Sequence, residues 1–139
     1  DYKAGDVPGQ LARLCPDGID VYFDNVGGEI LDAALTRLAL RARVVLCGSV
    51  SQYSASGPVA GPANYRNLLI KRARMEGFVL YDYAARYEEA RGELARWLAD
   101  GSLIAREEVM DGLDSFPEAM QRMLTGDKTG KLLVRLADA

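Results

Sequence analysis

The sequence predicts an α/β fold built around half of a doubly wound parallel sheet, followed by a strand–helix–strand segment. Short apolar runs alternate with helical patterns along the chain, which is the order of βαβ units joined by right-handed crossovers. Two of these runs end in small and polar residues, as strands do at the edge of an open α/β sheet where ligands bind. The chain therefore predicts a sheet with a pocket at the carboxyl ends of its strands.

The first strand and the turn after it carry the strongest signal of fold and site. Ile19–Asp24 is a nearly continuous apolar run, which is typical of a parallel strand covered on both faces. Asn25 and the pair Gly27-Gly28 follow it, before a helical pattern over about Glu29–Ala39. Glycines permit unusual backbone angles and let a ligand approach the main chain. We therefore expect this turn to lie at the rim of a pocket.

A second strand and a second rim follow this helical pattern, and another helix precedes the first strand. A short helix with Pro8 in its first turn is predicted at Val7–Leu14, ahead of the first strand. Arg43–Cys47 is the next strand, and Gly48–Tyr53 forms a second small and polar rim. Residues 54–63 are rich in Gly, Pro, Ser and Ala, which predicts a loop over the edge of the sheet.

The rest of the chain completes the fold. Apolar periodicity and turn residues predict a short helix, a third strand, a long helix ended by Gly101, and then a strand, a helix capped by Asp114 or Ser115, a turn and a last strand. The short helix is predicted at Tyr65–Ile70, the third strand at Arg74–Leu80 and the long helix at Ala84–Ala99. The next strand is Glu107–Met110, and the capped helix ends near Thr125. The turn is residues 126–130, and the last strand is Lys131–Leu136. We divide the chain into residues 1–102 and a carboxy-terminal segment 103–139.

Composition excludes several classes of function. The 139 residues are 49% apolar and 27% charged, which is usual for a globular protein. A net charge of −3 argues against nucleic-acid binding, and no apolar run reaches the ~18–20 residues of a membrane span. Cys15 and Cys47 fit a reducing compartment, so we expect a cytoplasmic protein. Histidine is absent, which removes histidine triads and common zinc sites, and no metal is expected.

Four motifs occur in one order and spacing. They are Asp-Asn-Val-Gly-Gly from Asp24, Cys-Gly-Ser-Val-Ser-Gln-Tyr from Cys47, Met-Glu-Gly-Phe-Val-Leu from Met75 and Gly-Asp-Lys-Thr-Gly-Lys from Gly126. This order resembles the carboxy-terminal part of zinc-independent medium-chain dehydrogenases/reductases, in particular the leukotriene B4 dehydrogenase or prostaglandin (alkenal/one) reductase group. The resemblance covers Tyr2 to Arg135. It implies a Rossmann-like domain that binds NADP(H).

The resemblance also implies what lies outside these residues. Enzymes of this group carry an amino-terminal catalytic domain and a glycine-rich phosphate loop, and no G-x-G-x-x-G sequence occurs here. We therefore expect a carboxy-terminal piece that holds a partial cofactor domain over 1–102. Its segment 103–139 would return toward the catalytic domain, and the piece would be inactive by itself.

Residue roles follow from the resemblance alone. Tyr53 is placed near nicotinamide and substrate, where its hydroxyl would stabilise a developing enolate oxygen or supply a proton. Lys128 stands where the group often has asparagine. The resemblance places the remaining residues along the cofactor: Tyr2, Asn25, Cys47, Gly48, Ser49, Val50, Ser51, Phe78, Val79 and Leu80.

Each of these residues also has a structural interpretation. Asn25 is a common turn residue, and Cys47 packs as a small apolar side chain more often than it reacts. Phe78 and Val79 are core residues by default, and Tyr53 is one of seven tyrosines.

The implied chemistry is hydride transfer from NADPH to the C=C bond of an α,β-unsaturated ketone or aldehyde. Two alternatives stay open: half of an S-adenosylmethionine-binding methyltransferase, and a non-catalytic dimerisation module. The resembled group forms homodimers through the sheet edge near Gly77–Tyr81, and we expect the same here.

Overall fold

The structure, a computed structural model, describes residues 2–53 and 55–136. The chain divides into two compact units, Asp1–Asp82 and Tyr83–Ala139, which are described separately below. Among the described residues, each unit holds one parallel sheet. The α/β class with parallel strands is therefore confirmed. This division by contacts falls after Asp82 and does not test the functional boundary predicted at residue 102. That boundary stays a prediction.

The first unit contains a three-stranded parallel sheet within its described residues, in the order β1-β2-β3. Each crossover contains a helix, α2 between β1 and β2 and α3 between β2 and β3. Both outer strands have one edge with no strand partner in this part of the chain. The elements are α1 Val7–Leu14, β1 Ile19–Asp24, α2 Gly28–Leu35, β2 Leu38–Leu46, α3 Arg66–Lys71 and β3 Arg74–Gly77.

The core of this unit joins α2 to the middle strand. Leu35, Leu38 and Val44 are almost completely buried, and Leu31 and Ala42 extend the same cluster. Half-buried side chains from the neighbouring elements pack around it: Tyr22, Leu46, Leu68, Ala73 and Met75. Since burial of each large aliphatic side chain contributes about 1.5–3 kcal/mol, this cluster holds the strands in register.

Helix α2 ends earlier than its apolar pattern predicts. The sequence predicts a helix to Ala39, but α2 ends at Leu35 and β2 already begins at Leu38. Leu31, Leu35 and Leu38 keep helical spacing across this junction and are all buried, so periodicity does not detect the change of element. A left-handed residue, Arg41, and an irregular register between Ile19 and Val21 accommodate the early start of β2.

The third strand is also shorter than predicted. It ends at Gly77 rather than Leu80, although the Phe78 N–H still donates to the Leu46 carbonyl at 2.8 Å. Residues Leu80–Arg86 form 3₁₀ turns interrupted at Tyr83, where the sequence predicts strand and then α-helix. The predicted dimer segment Gly77–Tyr81 is therefore only in part a strand edge.

The second unit contains α4 Tyr87–Ala99, β4 Glu107–Asp111, α5 Phe116–Thr125 and β5 Lys131–Arg135. The predicted strand–helix–strand segment is confirmed, and β4 and β5 pair in parallel. The turn between α5 and β5 is held by Glu108, whose carboxylate accepts from Arg122 at 2.7 Å and from the Thr129 N–H at 2.6 Å. A backbone hydrogen bond and the Arg122 cation both stabilise the ionised form, which lowers the pKa of Glu108.

The predicted cap of α5 differs in one respect. Ser115 lies at the capping position, but its side chain makes no capping hydrogen bond to the helix. Its hydroxyl donates to the Gly112 carbonyl at 2.8 Å instead, because the preceding 3₁₀ turn, Leu113–Ser115, presents that acceptor.

Candidate functional site

The site lies where β1 and β2 end at the same edge of the first sheet. The Asp24 carbonyl accepts the N–H groups of Cys47 at 2.8 Å and Gly48 at 3.1 Å. The next two carbonyls of the first rim, those of Asn25 and Val26, accept the N–H groups of residues 50 and 51, each at 3.1 Å. The two rims that the sequence predicts are thus tied together by consecutive main-chain hydrogen bonds.

The Asp24 side chain organises the first rim. It is 1% exposed, and its Oδ1 accepts the N–H groups of Val26 and Gly27, both at 3.0 Å, and the Tyr22 hydroxyl at 3.2 Å. Burial of a carboxylate is costly unless its oxygens are hydrogen-bonded, and here the turn itself supplies the donors. Asp24 therefore fixes the backbone of the turn that leads into α2.

Two glycines allow this turn to form. Gly27 has φ of 69° and Gly28 has φ of 58°, a region that side chains disfavour. A methyl group at Gly27 would also lie 3.3 Å from Cβ of Ser49 on the second rim, and one at Gly28 would lie 3.0 Å from Oγ of Ser51. The first rim can approach the second this closely because both positions lack a side chain.

A cleft of about 500 Å³ opens at this edge, and all of its lining residues belong to the first unit. Both rims, the end of β3 and a loop segment contribute to its walls. Its lining residues are Asp24, Gly27, Leu31, Leu46, Cys47, Gly48, Ser49, Gln52, Val59, Ala60, Gly61, Pro62, Met75, Gly77, Phe78 and Val79. This is the position at which open α/β sheets bind their ligands.

Gly48 brings the main chain of the second rim close to the first. A methyl group at this position would lie 3.3 Å from the Asn25 carbonyl oxygen and 3.4 Å from the Tyr53 hydroxyl. The absence of a side chain therefore leaves room for the Tyr53 ring to fold back toward the rim. It also leaves the backbone of Gly48 accessible from the cleft.

Five of the predicted cofactor residues line the cleft: Cys47, Gly48, Ser49, Phe78 and Val79. Cys47 is an exposed free thiol, and Phe78 is half-buried with its ring 5.7 Å from that of Phe23 in an edge-to-face arrangement. Val79 is 53% exposed.

The other predicted residues lie elsewhere among the described positions. Asn25, Val50, Ser51 and Tyr53 belong to the rims but not to the lining of the cleft, and Tyr53 is 72% exposed. Tyr2 forms an exposed 3₁₀ turn, and Leu80 begins another. Lys128 belongs to the second unit, where its ammonium donates to the Gly130 carbonyl at 3.3 Å.

Sequence reasoning missed one wall of the cleft, Val59–Pro62, and the side chain of Gln52 on the second rim. The Gly-Pro pairs predict a loop over the edge of the sheet, but no periodic pattern tells which of its residues face the cleft. The loop is joined to α2 by a hydrogen bond between Asp32 and Asn64, which are 32 positions apart in the sequence.

Two classes of site are not found in the described part of the chain. No group of three or more cysteine, aspartate or glutamate residues is arranged to hold a metal ion there. No helix in residues 2–53 and 55–136 has the length and apolar character needed to cross a membrane.

Comparisons with known proteins point to one family. Residues 1–134 match the family model described as zinc-binding dehydrogenase. The chain is 39% identical over 142 residues to the NADPH-dependent curcumin reductase of Escherichia coli K12, covering 99% of this chain and 41% of that protein. It is 38% identical over 132 residues to the NADP(+)-dependent 2-alkenal reductase of Nicotiana tabacum, covering 95% of this chain and 38% of that protein.

A solved structure gives the same result. The crystal structure of CurA from Vibrio vulnificus in complex with NADPH matches this chain with a TM-score of 0.87 and 41% sequence identity. The match covers 100% of this chain and 43% of that one. The chain thus spans about two fifths of the length of each of these three proteins.

The buried carboxylate of Asp24 provides a first test. We expect Asp24→Ala to lower the free energy of unfolding by about 2–3 kcal/mol, because two backbone N–H groups and the Tyr22 hydroxyl lose their acceptor in a buried site. Asp20→Ala is the matched control, since Asp20 lies exposed on the same strand. Urea unfolding of both variants measures the difference, and equal losses would contradict the role assigned to Asp24.

Tyr22 provides a second test, by its pH dependence. Burial first, and then the charge of Asp24 and the hydrogen bond to it, raise the pKa of Tyr22 from 10.0 to about 12. A pKa that is higher in the folded state contributes stability below the unfolded pKa, and this contribution is lost as the pH rises through the folded pKa. Stability should therefore fall between pH 10 and 12.

Tyr22→Phe removes this titration, so its unfolding midpoint should depend less on pH across that window than the wild-type midpoint does. Tyr65→Phe is the control, because that side chain is 65% exposed. The same alkaline slope in Tyr22→Phe and wild type would show that Tyr22 does not govern it.

Proposed function

The chain belongs to the zinc-binding dehydrogenase family, within its zinc-independent medium-chain dehydrogenase/reductase branch. We therefore propose that the protein acts as an NADPH-dependent oxidoreductase. We further propose that the reaction is hydride transfer to the C=C bond of α,β-unsaturated ketones and aldehydes. One observation carries the proposal: a cleft lies at the carboxyl ends of parallel strands, and 100% of this chain matches part of NADPH-bound CurA.

The residues of the cleft fit a dinucleotide. The second rim exposes the main chain of Gly48 between Cys47 and Ser49, so a flat ring can approach the backbone without meeting a side chain. Phe78 and Val79 line the cleft at the end of β3, where backbone groups that point into it would meet the carboxamide of a nicotinamide. We propose that these five residues hold the nicotinamide half of NADP(H).

The remaining predicted contacts are proposed on the resemblance alone. Asn25, Val50, Ser51 and Leu80 border the cleft in sequence and would follow the cofactor beyond the nicotinamide. Tyr2 would lie toward the adenosine end, and Lys128 would make a polar contact to the cofactor.

Tyr53 is the proposed catalytic residue. Its hydroxyl lies next to the second rim, 3.4 Å from where a methyl group on Gly48 would stand. The bound cofactor supplies the hydride, and the protein orients both reactants. As the β-carbon of the enone accepts the hydride, negative charge develops on the carbonyl oxygen, and a phenol hydrogen bond stabilises such an oxygen. We propose that Tyr53 donates that hydrogen bond or the proton.

Membership of a dehydrogenase family favours the oxidoreductase over half of an S-adenosylmethionine-dependent methyltransferase. A non-catalytic module remains the alternative to an enzyme, and the presence or absence of turnover separates the two. A cytoplasmic location belongs to the same proposal, since it rests on the two free cysteines and on the chemistry of a reducing cofactor.

The proposed function is tested with the full-length protein as it is encoded. NADPH at about 100 times its dissociation constant should stabilise it by about 2.7 kcal/mol in thermal unfolding, whereas S-adenosylmethionine should not. NADPH should be oxidised when an alkenal is added. Tyr53→Phe should lower kcat by about 100-fold, because the contribution of a positioned acid is of that order.

Tyr65→Phe serves as the control for that variant, because it removes an exposed tyrosine hydroxyl elsewhere in the same unit. If the full-length protein is not stabilised by NADPH, the proposed function is wrong. If NADPH binds and is oxidised at an unchanged rate in Tyr53→Phe, the catalytic role of Tyr53 is wrong and the cofactor assignment stands.

We also propose a homodimer through the outer edge of β3 and the residues that follow it. The edge has no strand partner within the described residues, and Val79, Leu80 and Tyr81 expose 53%, 58% and 83% of their side chains beside it. An unpaired edge flanked by exposed apolar side chains favours association with a second chain.

Sedimentation of the full-length protein should give the mass of a dimer. Tyr81→Lys should raise the dimer dissociation constant at least about tenfold, because two-fold symmetry brings two new positive charges into one interface. Tyr65→Lys is the control, since it adds the same charge at an exposed residue that belongs neither to β3 nor to the segment after it. A monomeric wild type, or a dimer insensitive to Tyr81→Lys, would exclude this interface.

A further inference from the structure

One wall of the cleft stands between two cavities. The main cleft measures about 500 Å³, and a second cavity of about 250 Å³ opens beside α2. Both are lined by Val59–Pro62, together with Leu31 and Gln52. Because a cavity lies on each side of Val59–Pro62, few side chains can pack closely against this wall.

The wall belongs to the loop of residues 55–63. Among the described residues, hydrogen bonds hold this loop at its two ends only. At the first end, the Ala55 N–H donates to the Gln52 carbonyl at 3.1 Å. Between residues 56 and 63 no hydrogen bond to the rest of the described chain is found, and all of these side chains except Pro62 are exposed. The position of the wall therefore depends on these two ends, and the second end, at Asn64, is the nearer one in sequence.

The second end is fastened to α2 by a paired contact. The Asp32 carboxylate accepts the Asn64 N–H at 3.0 Å, and the Asn64 side-chain amide donates to the Asp32 carbonyl at 3.3 Å. Both residues are half-buried. The neighbours of Asp32 on the helix, Leu31 and Ala33, are 6% and 7% exposed, so the core fixes the helix that presents the carboxylate.

We propose that Asp32 is a positioning residue for ligand binding: it fastens the loop of residues 55–63 so that Val59–Pro62 is in place as a wall of the cleft. The inference rests on the proposed function, in that NADPH is the ligand whose binding reports it. Without the carboxylate, part of the binding free energy is spent on ordering the loop, and the affinity falls. Neither Asp32 nor Asn64 lines the main cleft, and Asp32 lines only the second cavity, so the proposed role is exerted through the loop.

Two variants and a control separate the role of the contact from a general effect on stability. Asp32→Ala removes the acceptor, and alanine is the best helix former, so α2 is retained. Asp32→Asn keeps an oxygen that accepts the Asn64 N–H, and should restore the contact. Asp17→Ala, at an exposed residue outside both cavities, is the control.

The full-length protein is treated with elastase, which cleaves after small apolar residues such as Val59 and Ala60. Cleavage within the loop should be about tenfold faster in Asp32→Ala, which corresponds to one hydrogen bond to a charged acceptor. The NADPH dissociation constant, measured by direct titration, should rise by a similar factor, while kcat at saturating NADPH stays near the wild-type value. Asp32→Asn and Asp17→Ala should stay close to wild type in all three measurements.

Equal cleavage rates in Asp32→Ala and wild type would overturn the proposed fastening of the loop. Faster cleavage with an unchanged NADPH dissociation constant would overturn the role of the wall in binding. Failure of the wild-type protein to bind NADPH is a different result, because it refutes the proposed function before any variant is compared.

Discussion

The site depends on how Asp24 is buried. Its carbonyl holds the second rim through two N–H groups, and its carboxylate holds the first rim through two more and through the Tyr22 hydroxyl. A buried carboxylate is tolerated only where it is hydrogen-bonded, so the first rim must keep its geometry for this residue to stay buried. The main-chain carbonyl of the same residue holds the second rim, so both rims of the cleft depend on one position at the end of β1.

This arrangement separates the residues that shape the rims from those that line the floor of the cleft. Asp24, Gly27 and Gly28 shape the backbone, while Cys47, Gly48 and Ser49 present a floor of small residues to the cleft. A cleft floor formed largely by main chain and small side chains places few demands on side-chain identity. The fold can therefore be kept at the 41% sequence identity of the match to CurA.

The sequence was sufficient where the signal is local. The apolar run Ile19–Asp24 and the following glycines predict β1, its turn and the rim correctly, and positive φ leaves a direct mark on residue type. The expected cover on both faces of β1 is wrong for the described residues, because Val21 and Phe23 are about half exposed. The sequence was insufficient at Leu38, where helical spacing continues into a strand, and at residues 78–80, where an apolar run leaves the sheet. The wall Val59–Pro62 was not predicted, because the loop that carries it is hydrogen-bonded to α2 through Asp32 and Asn64, and long-range contacts leave no local pattern.

The weak attachment of this wall has an evolutionary consequence. Residues 56–63 make no hydrogen bond to the sheet or to a helix in the described chain, so insertions, deletions and substitutions there cost the core nothing. Changes of length between two fixed ends also add little chain entropy. A lineage can thus reshape one side of the cleft while the rims and the buried carboxylate stay as they are. The outline of the cleft can diverge in this loop faster than the turns that form its rims.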